Sequence, residues 1–184
     1  MISESIPTAL KEKTWDYCQK NNMGKRGDFD GSPEQQYTGL LGENMLRILM
    51  GLTPSWKVGF DGGHDLVVNS VKIDVKTMGR TVDPKPHYIN NFVRLQDKLD
   101  ADLFVFCSIN KTTNSFWICG MIAKHDLLKS GSYFPKGSVR KRSDGTEFTC
   151  MAPLYEIRND YLVEINNPIS IWAYTHEYAD FLVR

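Results

Sequence analysis

Apolar residues recur at helical spacing over residues 4–21, where Ile6, Leu10, Thr14, Trp15 and Tyr17-Cys18 lie on or near one stripe and Lys11, Lys13 and Lys20 on the other side. This predicts an amphipathic helix. A polar link follows and ends at Asp30-Gly31. The next helix has a clear start: Ser32 as N-cap, Pro33 in the first turn and Gln35 completing a capping box. Leu41, Met45, Ile48, Leu49 and Leu52 form its apolar stripe, and Gly51 and Thr53-Pro54 stop it. Gly39 and Gly42 weaken this helix but let another backbone come close. Residues 56–60 predict a strand. Two short apolar runs, 65–68 and 71–76, are separated only by Asn69-Ser70, the pattern of a tight β-hairpin. Residues 77–87 predict a loop and 88–99 a helix, with Ile89, Phe92, Val93 and Leu99 as its apolar contacts. The runs 103–109 and 116–122 have no polar face and predict strands buried on both sides. A short helix near 123–129, a polar loop over 130–146, short strands near 147–151 and 154–157, and an aromatic-rich closing segment complete the pattern.

The order of elements predicts an α/β fold with a central mixed β-sheet flanked by helices on both faces. With 184 residues, 41% of them hydrophobic, one domain with a sizeable core is expected. Its parts would be a helical extension over 1–30, a core over 33–125 and a C-terminal elaboration over 130–184. Lys and Arg total 22, as do Asp and Glu, so the net charge is zero and argues neither for nor against a polyanion partner. Cys18, Cys107, Cys119 and Cys150 show no metal-ligand spacing and are expected as buried free thiols, which fits a reducing, cytoplasmic setting. No run approaches the ~18 apolar residues of a membrane span, so no membrane partner is expected.

The hairpin carries the candidate chemistry. A symmetric register about Asn69-Ser70 pairs Val68 with Val71, Leu66 with Ile73, and Asp65 with Asp74. Opposed residues share a face, with Cβ atoms roughly 4.5–5.5 Å apart. Two carboxylates so placed repel each other, and a bound divalent cation would relieve them. Lys76, two residues beyond Asp74, shares their face.

Glu43 in a helix, then Asp65, then Asp74-Val75-Lys76, resembles the PD-(D/E)xK nuclease superfamily. The surrounding Gly-Leu-Leu-Gly-Glu (39–43), Gly-Gly-His-Asp (62–65) and Ile-Asp-Val-Lys-Thr (73–77) match its texture. The resemblance covers roughly residues 33–125, and His64 stands where the motif's name has proline. It implies a restriction-endonuclease-like core and a Mg²⁺-dependent deoxyribonuclease, expected to be an endonuclease, leaving 5′-phosphate and 3′-hydroxyl ends. Mn²⁺ is expected to substitute for Mg²⁺, and no organic cofactor is expected. Asp65 and Asp74 would be metal ligands, joined by the Val75 carbonyl and, directly or through water, Glu43. Lys76 would contact the attacking water or the scissile phosphate. DNA is the expected partner, with RNA open, and a homodimer is compatible with the superfamily. Lys136, Arg140, Lys141 and Arg142 are candidate backbone-phosphate contacts, although a charged loop is more often simply solvated. Gln36 and His87 are secondary cleft candidates. Glu43 could instead pair with Arg47 one turn on. The alternative function is a non-catalytic nucleic-acid-binding or protein-interaction module that keeps the nuclease fold.

Overall fold

The structure is a computed structural model, and it describes residues 1–21, 31–56, 62–93, 100–141 and 145–182. Its main sheet has five strands: β1 (Ile2–Ser5), β2 (Leu66–Val68), β3 (Val71–Arg80), β5 (Leu103–Asn110) and β6 (Ser115–Ala123). Their order across the sheet is β1-β6-β5-β3-β2. β3 and β5 run parallel and the other neighbours antiparallel, so the sheet is mixed. β5 is buried at every position, as its unbroken apolar run predicts.

One face of this sheet packs on α1 (Thr8–Lys20), α2 (Pro33–Leu49) and α4 (Ile169–Leu182). That core joins Leu10, Leu41, Met45 and Ile171 to Val71, Ile73, Val75 and Val105. The other face gathers Phe92, Phe104, Phe106, Cys119 and Leu127. It is covered by the short α3 (Lys124–Ser130) and by a second, three-stranded sheet. That sheet runs β4-β10-β7, from β4 (Ile89–Val93), β10 (Leu154–Arg158) and β7 (Ser132–Phe134). A two-stranded ribbon, β8 (Val139–Lys141) with β9 (Glu147–Thr149), completes the strands. All four cysteines are buried free thiols. Among the described residues no helix is long and apolar enough to cross a membrane.

Local signals at α2 and the hairpin hold. The Ser32 hydroxyl accepts from the Gln35 N–H while the Gln35 side chain accepts from the Ser32 N–H. Asn69 and Ser70 both take positive φ, 49° and 66°, the conformation that lets a two-residue turn match strand twist. The register is the expected one, Val68 opposite Val71 and Leu66 opposite Ile73.

Other expectations are corrected. The predicted helix over 88–99 is strand β4 across residues 89–93, while 94–99 lie outside the described residues. Its burial alternates residue by residue, Asn90 and Phe92 inward, and it pairs with β10, more than sixty positions later in the chain. A five-residue run with such a distant partner gives no local warning of its period. The helix expected from residue 4 begins only at Thr8, and Ile2–Ser5 form a strand that pairs with β6. The loop expected from 77 begins after Arg80, and β7 and β8 interrupt the loop expected over 130–146. Within α2, Ile48 is exposed and Leu46 is fully buried, so the apolar stripe sits further round the helix than expected. The strand expected over 56–60 lies largely outside the described residues.

Candidate active site

Just before β2 begins, the hairpin ladder changes hands. The Asp65 main-chain N–H donates to the Ile73 carbonyl at 2.8 Å. Its carboxylate then replaces the next backbone partner: Asp65 Oδ2 accepts the Val75 N–H at 2.6 Å. Asp65 is thereby fixed against β3 instead of projecting freely from a strand. The carbonyl of Val75 opens to the same edge as its N–H, because a strand residue presents both groups to one side.

Strand alternation puts Asp74 and Lys76 on one face of β3. Asp74 is 4% exposed. The Lys76 ammonium reaches both of its oxygens, Oδ1 at 2.8 Å and Oδ2 at 2.6 Å. Their neighbours across the parallel pairing are Phe104 and Phe106, both fully buried. The ion pair therefore sits against apolar rings, where water screens it weakly.

Glu43 arrives from the helix that lies over the other face. The reason is a close contact one residue earlier. A Cβ on Gly42 would stand 1.9 Å from Thr77 Oγ1 and 2.6 Å from Thr77 Cβ. Only glycine lets α2 settle this deeply on β3. Gly39 does no such work, since a Cβ there would meet nothing within 4 Å; the expectation of close approach holds at Gly42 alone.

Electrostatics show that the predicted residues converge. Burial holds the Asp65 carboxyl well above the usual carboxylate range, and the charges of Asp74 and then Glu43 push it further. Lys76 and the Val75 N–H pull it partly back. Three carboxylates and one ammonium share this corner. Enclosed, mutually repelling hard oxygens are the chemistry that suits a hard divalent cation. Among the described residues, however, no three His, Cys, Asp or Glu side chains stand close enough together to enclose an ion.

Arg47, one turn after Glu43 and a candidate partner for it, has another role at the site. Its guanidinium donates to the Thr53 carbonyl at 2.8 Å and to the Asp65 carbonyl at 3.2 Å. It ties the end of α2 to the backbone that presents Asp65. Its position four residues after Glu43 was the available signal.

The remaining candidates have other settings. Gln36 Nε2 donates to the Gly31 carbonyl at the start of α2. His87 is exposed and packs edge-on against Tyr88. Lys136 is exposed in a turn and Lys141 is exposed on β8. Arg140 is occupied: it donates twice to Glu156, at 3.2 and 2.7 Å, and lies over the Phe134 ring at 3.7 Å. This pins the β8–β9 ribbon to the second sheet. Arg142 lies outside the described residues.

No protein family, no curated protein and no solved structure matches this chain. The site is therefore read from its own geometry.

Proposed function

We propose that this protein is a metal-dependent nuclease that hydrolyses phosphodiester bonds of DNA. The observation that carries this reading is the Asp65 carboxylate, locked to β3 by the Val75 N–H and crowded by Asp74 and Glu43. Folding alone gives no return for that crowding, because like charges in a partly enclosed corner cost stability. The restriction-endonuclease-like core is part of the proposal. It is supported by the order of α2, the β2–β3 hairpin and the parallel strand β5.

Asp65 and Asp74 would hold a Mg²⁺ ion, joined by the Val75 carbonyl and, directly or through water, by Glu43. The ion would supply charge stabilisation and a more acidic water. Asp65 brings an orientation already set by its hydrogen bond. Asp74 brings a carboxylate that the Lys76 ammonium now bridges. With a cation meeting the charge of Asp74, Lys76 would be able to turn on its four-carbon stem toward a phosphate oxygen. There it would stabilise the negative charge that grows as the bond breaks.

The test is a panel of linear, circular, single-stranded, branched and mismatched DNAs with Mg²⁺ or Mn²⁺. Cleavage should occur on some member, leaving a 5′-phosphate, and Asp74→Ala or Lys76→Ala should abolish it. Wild-type cutting by both variants would overturn the proposal.

One observation favours a second reading, a non-catalytic nucleic-acid-binding module. Lys76 bridges both oxygens of Asp74 and so neutralises it from within the protein. Firm DNA binding without cutting, and without metal-induced stabilisation, would select that reading.

A further inference from the structure

β4 is an edge strand: in the second sheet it pairs only with β10. One bond fixes the phase of that pairing. The Asn159 N–H donates to the Tyr88 carbonyl at 2.9 Å. Bonded residues alternate along an antiparallel ladder, so Asn90 and Phe92 bond β10 as Tyr88 does. Ile89, Asn91 and Val93 then turn their N–H and C=O groups to the free side. The Ile89 carbonyl has a partner there, Arg80 Nη2 at 2.9 Å. Among the described residues, nothing pairs with the N–H of Asn91 or of Val93. Edge strands are usually blunted by lysine or proline, and Ile89–Val93 carries neither.

The free side of β4 faces β3. Arg80, which reaches Ile89, stands on the face of Asp74 and Lys76 by strand alternation. Three residues beyond Ile89, the Phe92 ring packs on Phe104 with 4.7 Å between centroids. Phe104 is the neighbour of Asp74 in the parallel pairing of β3 with β5. Asn91 lies between these two anchors, beside the stretch of β3 that carries Lys76. Its side chain is exposed and points away from the main sheet, because Asn90 and Phe92 point in. Only its backbone lines the gap. Stacked sheets lie about 10 Å apart, which leaves room for an unpaired strand. A duplex, whose major groove alone is about 12 Å wide, is too broad.

We propose that the free edge of β4 and the Asp74–Lys76 face of β3 are the two walls of a cleft for single-stranded DNA, in which the Asn91 N–H donates to a backbone phosphate. This rests on the nuclease reading for the identity of the ligand. Main-chain N–H groups are common phosphate donors and carry no sequence preference. Lys76 supplies positive charge on the facing wall, and Arg80 supplies it where the two walls meet. That charge favours a polyanion over a peptide strand at this edge.

The experiment compares binding of a short mixed-sequence single strand with its duplex in EDTA, which prevents cutting. The single strand should bind more tightly, and exchange of the Asn91 amide hydrogen should slow with it and not with the duplex. Asn91→Pro removes the N–H at a position facing away from the ladder, where a strand tolerates proline. It should bind the single strand about tenfold more weakly than Asn91→Ala, which lacks the same side chain but keeps the N–H. Circular dichroism checks that the proline variant folds; if it does not, amide exchange in the wild type decides. Equal binding by the two variants, duplex binding as tight as single-strand binding, or no DNA binding at all overturns the proposal. So does protection of the Asn91 amide that grows with protein concentration without DNA, since a second copy would then cover the edge. DNA cutting in Mg²⁺ with an unprotected Asn91 amide defeats this proposal alone. Single-strand binding with a protected Asn91 amide and no cutting of any DNA defeats the nuclease reading and leaves the cleft standing.

Discussion

Gly42→Ala and Gly39→Ala make the same chemical change three residues apart in one helix, and the structure gives them opposite signs. In an open helix position, alanine gains roughly 0.5–1 kcal/mol over glycine, because the unfolded chain has less freedom to lose. Gly39 is such a position, with nothing within 4 Å of the added Cβ. At Gly42 the same atom would lie 1.9 Å from Thr77 Oγ1 and 2.6 Å from both Thr77 Cβ and Cγ2. No rotamer of Thr77 moves its Cβ, so α2 must lift from β3. Overpacking of this kind costs about 1–3 kcal/mol, enough to outweigh the helix gain. The assay is urea denaturation of both variants, read at constant m-value. Gly39→Ala should stabilise and Gly42→Ala destabilise, a midpoint difference of about 2–4 °C per kcal/mol in a matching thermal melt. Thr77→Gly in the Gly42→Ala background should recover part of the loss, since it removes all three crowding atoms. If Gly42→Ala proves as stable as Gly39→Ala, the close seating of α2 on β3, and with it the route by which Glu43 reaches Asp65, is refuted.

Asp65→Asn keeps an acceptor for the Val75 N–H and removes the charge. The native carboxyl has a raised pKa, so the native state binds more protons than the unfolded one above about pH 3.9. Wild-type stability in EDTA should therefore fall relative to Asp65→Asn as pH rises through that window, then level off; a difference that does not change with pH would contradict the crowded-carboxylate geometry. Millimolar Mg²⁺ should raise the wild-type melting temperature, by about 2.7 kcal/mol of stability at a hundredfold excess over Kd, and Asp74→Asn should lose the rise, as differential scanning fluorimetry would report. Ser32→Ala removes the acceptor of the α2 capping box and should cost about 1 kcal/mol in denaturant; no loss would mean that the cap carries no weight in this helix.

The hairpin and α2 were legible because their signals are local. Asn69-Ser70 between two apolar runs, and Ser32 three residues before Gln35, depend only on nearby backbone. The pairing of Glu43, Asp65, Asp74 and Lys76 could be read from motif spacing, but not the manner of their meeting. Asp65 does not simply oppose Asp74 in a regular ladder; its side chain substitutes for the ladder at Val75. Arg47 was visible as a neighbour of Glu43, while its hold on the Asp65 carbonyl depends on a chain segment eighteen residues away. In sequence Arg140 is one of a cluster of candidate phosphate contacts; only the fold brings Glu156 and Phe134 beside it.

The sequence alone determined the turn type, the capped helix, the unbroken burial of β5 and the set of residues that carry the candidate chemistry. Each follows from steric and hydrogen-bonding rules that act within a few residues. Tertiary structure alone decided that Ile2–Ser5 and Ile89–Val93 are strands, that Gly42 and not Gly39 admits the facing strand, and which cations are already paired. Strand pairing and burial draw their free energy from partners distant in the chain, and those partners are defined only once the sheet has formed.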